Sequence, residues 1–322
     1  METITKGLRR IFDLYEGIRL SLSLSRAKGT IGSNGNRHLR VRLLRRGIEK
    51  LQKAVQDVGY TQGILVCGEE TYAYVGGVFL NMKGTNRYLK VIGDMEGNEG
   101  EKIRAFLTSK GINVRTMVDL GANFGEISLY FCRRCPHAKI LAVEASPDNF
   151  HLLESNVRFQ SFPTENLTLV CEAVSDRKGF VDITTGVSAE NIIVRSGIHL
   201  KEADRGKKIE TVRVSSDTLQ SLMSRFGFAS LDFLKVDIEG SEPLLFESLK
   251  VCSSNIHAIL IEVGDKADHH AYLPLMRFLF AEYQGAYDAV TGNRWASFEA
   301  FEKDMLSSYA QDVWFVRKGE KL

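Results

Sequence analysis

The eight residues KVDIEGSE carry Lys235, Asp237, Glu239 and Glu242. Three carboxyls this close repel one another unless a ligand, a cation or the lysine compensates, and the repulsion raises the pKa of at least one. A carboxyl held in that state is suited to take a proton from a reacting group. Lys235 and Asp237 fall on one strand face by the period of two. Glu239 belongs to the turn that follows, and Gly240 permits a bend ahead of a helix beginning near Pro243. No His-rich spacing accompanies these acids, so no resident metal is expected, and a divalent cation held by the acids alone is the alternative reading.

A second constellation is VDLGANFG, residues 118–125. An apolar run reaches Asp119, Gly121 and Gly125 stand four apart, and EISLYF then reads as a helix. Such a turn lays bare backbone against the polar end of a ligand. The dinucleotide fingerprint needs a middle glycine that this stretch lacks, and no Gly-Lys-Ser/Thr of a phosphate loop is present. The remaining common guest is S-adenosylmethionine, which has no phosphate but carries a zwitterionic methionine tail, a ribose and an adenine. The Gly121 turn admits the tail, and Asp119 can receive its ammonium directly or through water. Glu144, ending the next apolar run, can take the ribose hydroxyls by the physics that puts an acid there in dinucleotide sites. Ala173 is small enough to let an adenine lie flat.

These residues need elements to hold them. RTMVDL, KILAVE, LTLVCE, LDFLKVD, HAILIEV and DVWFVRK are short apolar runs with helical stretches between several of them. That alternation predicts a mostly parallel sheet covered by helices on both faces. GFVDITTG and IETVRVS read as a strand pair inserted before the fourth sheet strand, and residues 187–208 between them read as a loop over the site. Upstream, GILVCG, TYAYVGGVFLNMK and RYLKVIG read as a small antiparallel meander. GNEGEKIRAFLTSKG returns to helical spacing, with Gly111 as its stop. The expected organisation is a basic helical extension over 1–60, a small β-rich segment packed on the core over 61–99, and an α/β domain over 100–322.

Charge is unevenly spread. Residues 1–60 hold 13 Lys/Arg against five Asp/Glu, a local +8 that leaves −6 for the rest of a chain whose net charge is +2. No apolar run approaches the ~20 residues of a membrane span, and Glu2, Asp13 and Glu16 argue against a transit peptide. Five scattered cysteines fit reduced core thiols, so a cytoplasmic setting is expected. Cys132 and Cys135 have zinc-site spacing, yet no second pair follows to complete four ligands. DKADHH, from Asp265 to His270, reads as a polar loop near substrate, and RHLRVRLLRRG as the solvated face of a helix.

VDLGANFGEISLYF, AVEASPDNFHLLESNV, EAVSD and above all LDFLKVDIEGSEPLLFESL resemble the FkbM family of S-adenosylmethionine-dependent methyltransferases, from about Val118 to Val263. DVWFVRK resembles the family's closing strand. The resemblance implies a Rossmann-like class I methyltransferase fold, a seven-stranded sheet whose last strand is antiparallel. It also implies O-methylation of a sugar, glycan or other small metabolite. By position, Asp119, Gly121, Asn123 and Gly125 would hold the methionine tail and Glu144 the ribose. Glu172 and Ala173 would border the adenine. Asp237, Glu239 and Glu242 would line the methyl-transfer end, with Asp237 as first choice for the base, Glu239 next, and Lys235 orienting or neutralising. Two rival readings remain. One is a nucleic-acid methyltransferase recruited by the basic head, disfavoured because DIEG stands where base N-methylation goes with Asn/Asp-Pro-Pro-aromatic. The other is a non-catalytic scaffold touching a membrane surface through its N-terminal helices. The oligomeric state stays open, a homodimer being one option.

Overall fold

The computed structural model describes residues 62–67, 70–75, 78–81, 99–185, 193, 210–264, 269–305 and 311–317. The basic extension over 1–60, RYLKVIG, the 187–208 loop apart from Ile193, and the DKADHH residues 265–268 lie outside the described residues.

Three short strands, β1 (Gln62–Cys67), β2 (Glu70–Val75) and β3 (Val78–Asn81), pair antiparallel in that order. TYAYVGGVFLNMK therefore supplies two strands rather than one. Val78 and Leu80 are buried in the same core as α1 (Glu99–Ser109), α2 (Glu126–Arg134) and α3 (Pro147–Phe159). Gly111, at φ 76, lies two residues beyond the end of α1, where a left-handed residue ends a helix at low cost.

The main sheet has seven strands in the order β12-β13-β11-β10-β4-β5-β6. These are β4 (Thr116–Leu120), β5 (Lys139–Val143), β6 (Leu167–Val170), β10 (Leu231–Val236), β11 (Ile256–Val263), β12 (Gly285–Asp288) and β13 (Gln311–Val316). Neighbours from β6 to β11 run parallel, and β13 is antiparallel to both β11 and β12. The closing strand thus inserts between two others. Beyond it lies β12, four residues that carry too little pattern to be read as a strand from sequence.

Side chains alternate across this sheet as the pleat demands. Met117, Ile140, Phe233, Leu260 and Trp314 pack with α1, α2 and α3. Val118, Leu141, Leu234, Ile259 and Phe315 pack with α4 (Leu219–Arg225), α5 (Phe246–Cys252), α6 (His269–Glu282) and α7 (Phe298–Met305). With both faces covered, the strands read as continuous apolar runs rather than alternating ones. Among the described residues, no helix is long and apolar enough to cross a membrane.

The inserted pair is β8 (Gly179–Thr185) against β9 (Glu210–Asp217), antiparallel through seven residue pairs. A two-residue β7 (Ala173–Val174) joins β9, so the chain after β6 leaves the main sheet for this smaller one.

Candidate active site

Strand order reverses between β4 and β10, and in open α/β sheets that is where a crevice opens beyond the carboxyl ends. A cavity lies there, lined among others by Gly121, Asn123, Glu144, Ala173, Asp237 and Glu239. One half of it is built by turns. Gly121 has φ 77, and a Cβ placed on it would sit 1.7 Å from the Asp237 carbonyl oxygen. The glycine is therefore demanded by the close approach of the two sequence motifs as well as by any ligand. Asn123 is also left-handed, at φ 51. Its backbone N–H donates to Glu144 at 2.8 Å, while Ser146 N–H donates to the other Glu144 oxygen at 2.9 Å. Ser146 also caps α3 ahead of Pro147. Gly125 lies off the cavity: a Cβ there would come within 2.4 Å of Leu153, so it serves the packing of α2 on α3.

The other half is acidic. Lys235 pairs directly across the sheet with Asp119, and its Nζ lies 3.0 Å from Asp237 and 3.9 Å from Asp119. Burial pulls its ammonium down, but Asp237 and Asp119 more than offset this and hold it well above the ordinary lysine range. Asp119 is itself raised by burial, against the pull of Lys235 and of the Ser128 hydroxyl that donates to it at 2.6 Å. Its other oxygen is buried without a hydrogen-bond partner.

Glu262, at the end of β11, is the residue that sequence reasoning did not single out. Asp237, Glu239 and Glu262 bring carboxylate oxygens within 4.8 Å of one another, a spacing at which a small cation could be held and at which their charges repel. Register explains the meeting. Lys235 pairs with Leu260, so two residues on Asp237 faces Glu262, which also pairs with Asp312 across the antiparallel neighbour. Burial, then repulsion from Asp237, Glu239 and Asp312, holds the Glu262 carboxyl far above the usual range. The available signal was an acid ending an apolar strand, the same one that marked Glu144.

Besides Gly125 and Lys235, three more expected positions do not line the cavity. Glu242 is fully buried and does not line the cavity. It accepts from Ile238 N–H at 2.8 Å, Gly240 N–H at 3.3 Å and the Tyr272 hydroxyl at 2.6 Å. Burial pushes its pKa up to about 7 against those donors. Glu172 is drawn to Arg225, 2.5 Å away, and does not line the cavity beside Ala173. Asp119 lies behind the Gly121 turn rather than on the cavity wall. New wall residues include Ala145, Asn149, Ile183, Ile193, Ile238 and Ser241.

Cys132 and Cys135 are free thiols. Cys132 donates to Asn166 at 3.0 Å, and burial pushes its thiol up to about 12, the behaviour of a core residue.

With this geometry in place, comparison with known proteins is decisive at one point. The profile of the Methyltransferase FkbM domain matches residues 119–285. The chain belongs to the FkbM methyltransferase family. The family's cofactor is S-adenosylmethionine, and the cavity residues suit it: bare backbone at Gly121, a carboxylate at Glu144, a small Ala173 and an unsatisfied buried oxygen on Asp119 behind the turn. Methyltransferase sdnD of Sordaria araneosa is 29% identical over 148 residues, covering 39% of this chain and 57% of that protein. The FkbM chain described here thus spans little more than half the length of that curated relative. Among solved structures, the plantazolicin methyltransferase BpumL in complex with SAH aligns at 10% identity and TM-score 0.37, over 73% of this chain and 90% of that one. A SAM-dependent methyltransferase from Agrobacterium tumefaciens aligns at 11% identity and TM-score 0.40, over 79% and 72%.

Proposed function

We propose that the chain transfers a methyl group from S-adenosylmethionine to a hydroxyl of a sugar, glycan or other small metabolite. The observation that carries this reading is the shared wall: Asp237 and Glu239 line the same cavity as Gly121, Asn123 and Glu144. S-adenosylmethionine supplies a methyl group already activated by its sulfonium. The protein's task is then alignment, exclusion of water and removal of one proton.

In this reading Glu144 accepts from the ribose hydroxyls while its oxygens stay anchored to the Asn123 and Ser146 peptides. Asp237 accepts the hydroxyl proton as the acceptor oxygen attacks. Lys235, 3.0 Å from Asp237, fixes that carboxylate and balances its charge. Glu239 and Glu262 surround the same spot and keep the local field negative, which favours retaining a proton taken from the acceptor.

The experiment has two parts. Calorimetry with S-adenosylmethionine should show one site, and Glu144→Ala should weaken it. Isotope-labelled cofactor is then offered with panels of hydroxylated sugars, glycans and small metabolites. An ether product supports the reading. A product methylated on nitrogen or carbon, or cofactor binding with no transfer to any hydroxyl, rules it out.

A further inference from the structure

Glu239 sits in the left-handed region, at φ 54, which a residue with a side chain adopts only when its surroundings impose it. Its two neighbouring peptides show what imposes it. The N–H groups of Ile238 and Gly240 both donate to one oxygen of Glu242, at 2.8 and 3.3 Å. The buried carboxylate therefore grips the turn from behind, on either side of the residue that faces the cavity. Its other oxygen accepts from Tyr272 at 2.6 Å, and Tyr272 is buried on α6, thirty residues further along the chain.

Burial disfavours a charge this deep, and donors to both oxygens work against that by stabilising the ionised form. Two peptides answer one and the phenol answers the other, against repulsion from Asp237 and Glu262. Space for the phenol is reserved at the end of β11. A Cβ on Gly264 would come within 2.7 Å of the Tyr272 oxygen.

We propose that Tyr272 is a positioning residue for methyl transfer, acting through Glu242 to hold the Ile238–Gly240 turn that presents Glu239, next to Asp237, to the cavity. The proposal rests on the methyl-transfer reading, and nothing in it requires Tyr272 or Glu242 to touch substrate. It assigns work to a residue on a helix far from either sequence motif.

The test is a double-mutant cycle of Tyr272→Phe and Glu242→Ala, read by turnover, cofactor affinity and amide hydrogen exchange. Tyr272→Phe should lower kcat by about 10–100-fold, the range expected when a reacting group is displaced by a fraction of an ångström to an ångström. S-adenosylmethionine affinity should stay within about twofold, because the Glu144 half of the cavity is untouched. Exchange at Ile238 and Gly240 should quicken while β4 amides keep their rates. On the Glu242→Ala background, Tyr272→Phe should add nothing further. Gly264→Ala, which leaves the phenol in the chain but crowds it off Glu242, should reproduce the loss if Tyr272→Phe fails to fold. An unchanged kcat in a folded Tyr272→Phe, or effects that add fully in the double mutant, overturns the proposal. If the wild type transfers no methyl group, the functional reading has failed. The clamp is then decided by exchange at the two turn amides alone.

Discussion

The two ends of the cavity are built on opposite plans. Around Glu144 the carboxylate is buried, 6% exposed, and both oxygens are already answered by peptide N–H groups of Asn123 and Ser146. Around Asp237 three carboxyls converge from a strand end, a turn and a neighbouring strand, and burial with mutual repulsion lifts Glu262 far from its usual value. The first end is preorganised, so a ligand arrives without rearranging it. The second holds electrostatic stress that a proton or a ligand relieves. Recognition asks for satisfied groups and proton transfer asks for unsettled ones, and the sheet places the two side by side.

The comparison breaks most visibly at Asp237. Asp237→Asn keeps the shape but cannot accept a proton, so turnover should fall by ~10²–10⁴ with cofactor affinity little changed. Glu239→Gln should cost less. Loss of cofactor binding in Asp237→Asn would instead assign the residue to the sulfonium, and Glu239 would become the candidate base.

Gly121 joins the two ends, so Gly121→Ala should damage both. Its Cβ would fall 1.7 Å from the Asp237 carbonyl oxygen at a φ of +77, and strand ends must part to admit it. A loss of roughly 3 kcal/mol in denaturant unfolding is expected from overpacking plus backbone strain. A variant of wild-type stability that still binds cofactor would show that the two motifs are not locked together.

Stability should also depend on pH at the acidic end. Glu242 and Glu262 both have folded pKa values above their ordinary 4.5, so the folded state retains protons that the unfolded chain has released. Their contribution is fully present below about pH 4.5 and is lost as pH rises through about 7 for Glu242 and higher for Glu262. For Glu242 the shift corresponds to roughly 3 kcal/mol. Melting temperature, corrected with Glu242→Gln and Glu262→Gln variants, should therefore fall between pH 5 and 8 in the wild type and less steeply in each variant. A wild-type profile no steeper than theirs would remove the stress from this end.

The smallest effect is expected at the satisfied end. Glu144→Ala should weaken S-adenosylmethionine binding by roughly 1–3 kcal/mol while leaving pH dependence intact. Unchanged affinity in the folded variant would move the ribose elsewhere.

How much of this was legible depended on the distance over which each residue acts. The strand–turn–helix around Gly121 and the run LDFLKV are local, and their types alone predicted a parallel sheet with a ligand at its carboxyl edge. β12, with only four residues, and the split of TYAYVGGVFLNMK into two strands carry no such period. The family resemblance puts Glu172 beside the adenine together with Ala173, but Arg225, fifty-three positions on, claims its carboxylate. Nothing near Glu172 in the chain announces that.

By itself, the sequence determined the periodicities, the glycine at Gly121 and the placement of acids at strand ends, because sterics and side-chain alternation act between neighbours in the chain. Tertiary structure decided which acids meet. Glu262 reaches Asp237 through the β10–β11 register, Glu242 meets the Tyr272 hydroxyl thirty residues on, and Asp119 is paired with Lys235 across the sheet. Charges act through space in a low-dielectric interior, so the chemistry of a carboxyl belongs to its partners, and those partners are chosen by the packing of strands and helices far apart in the chain.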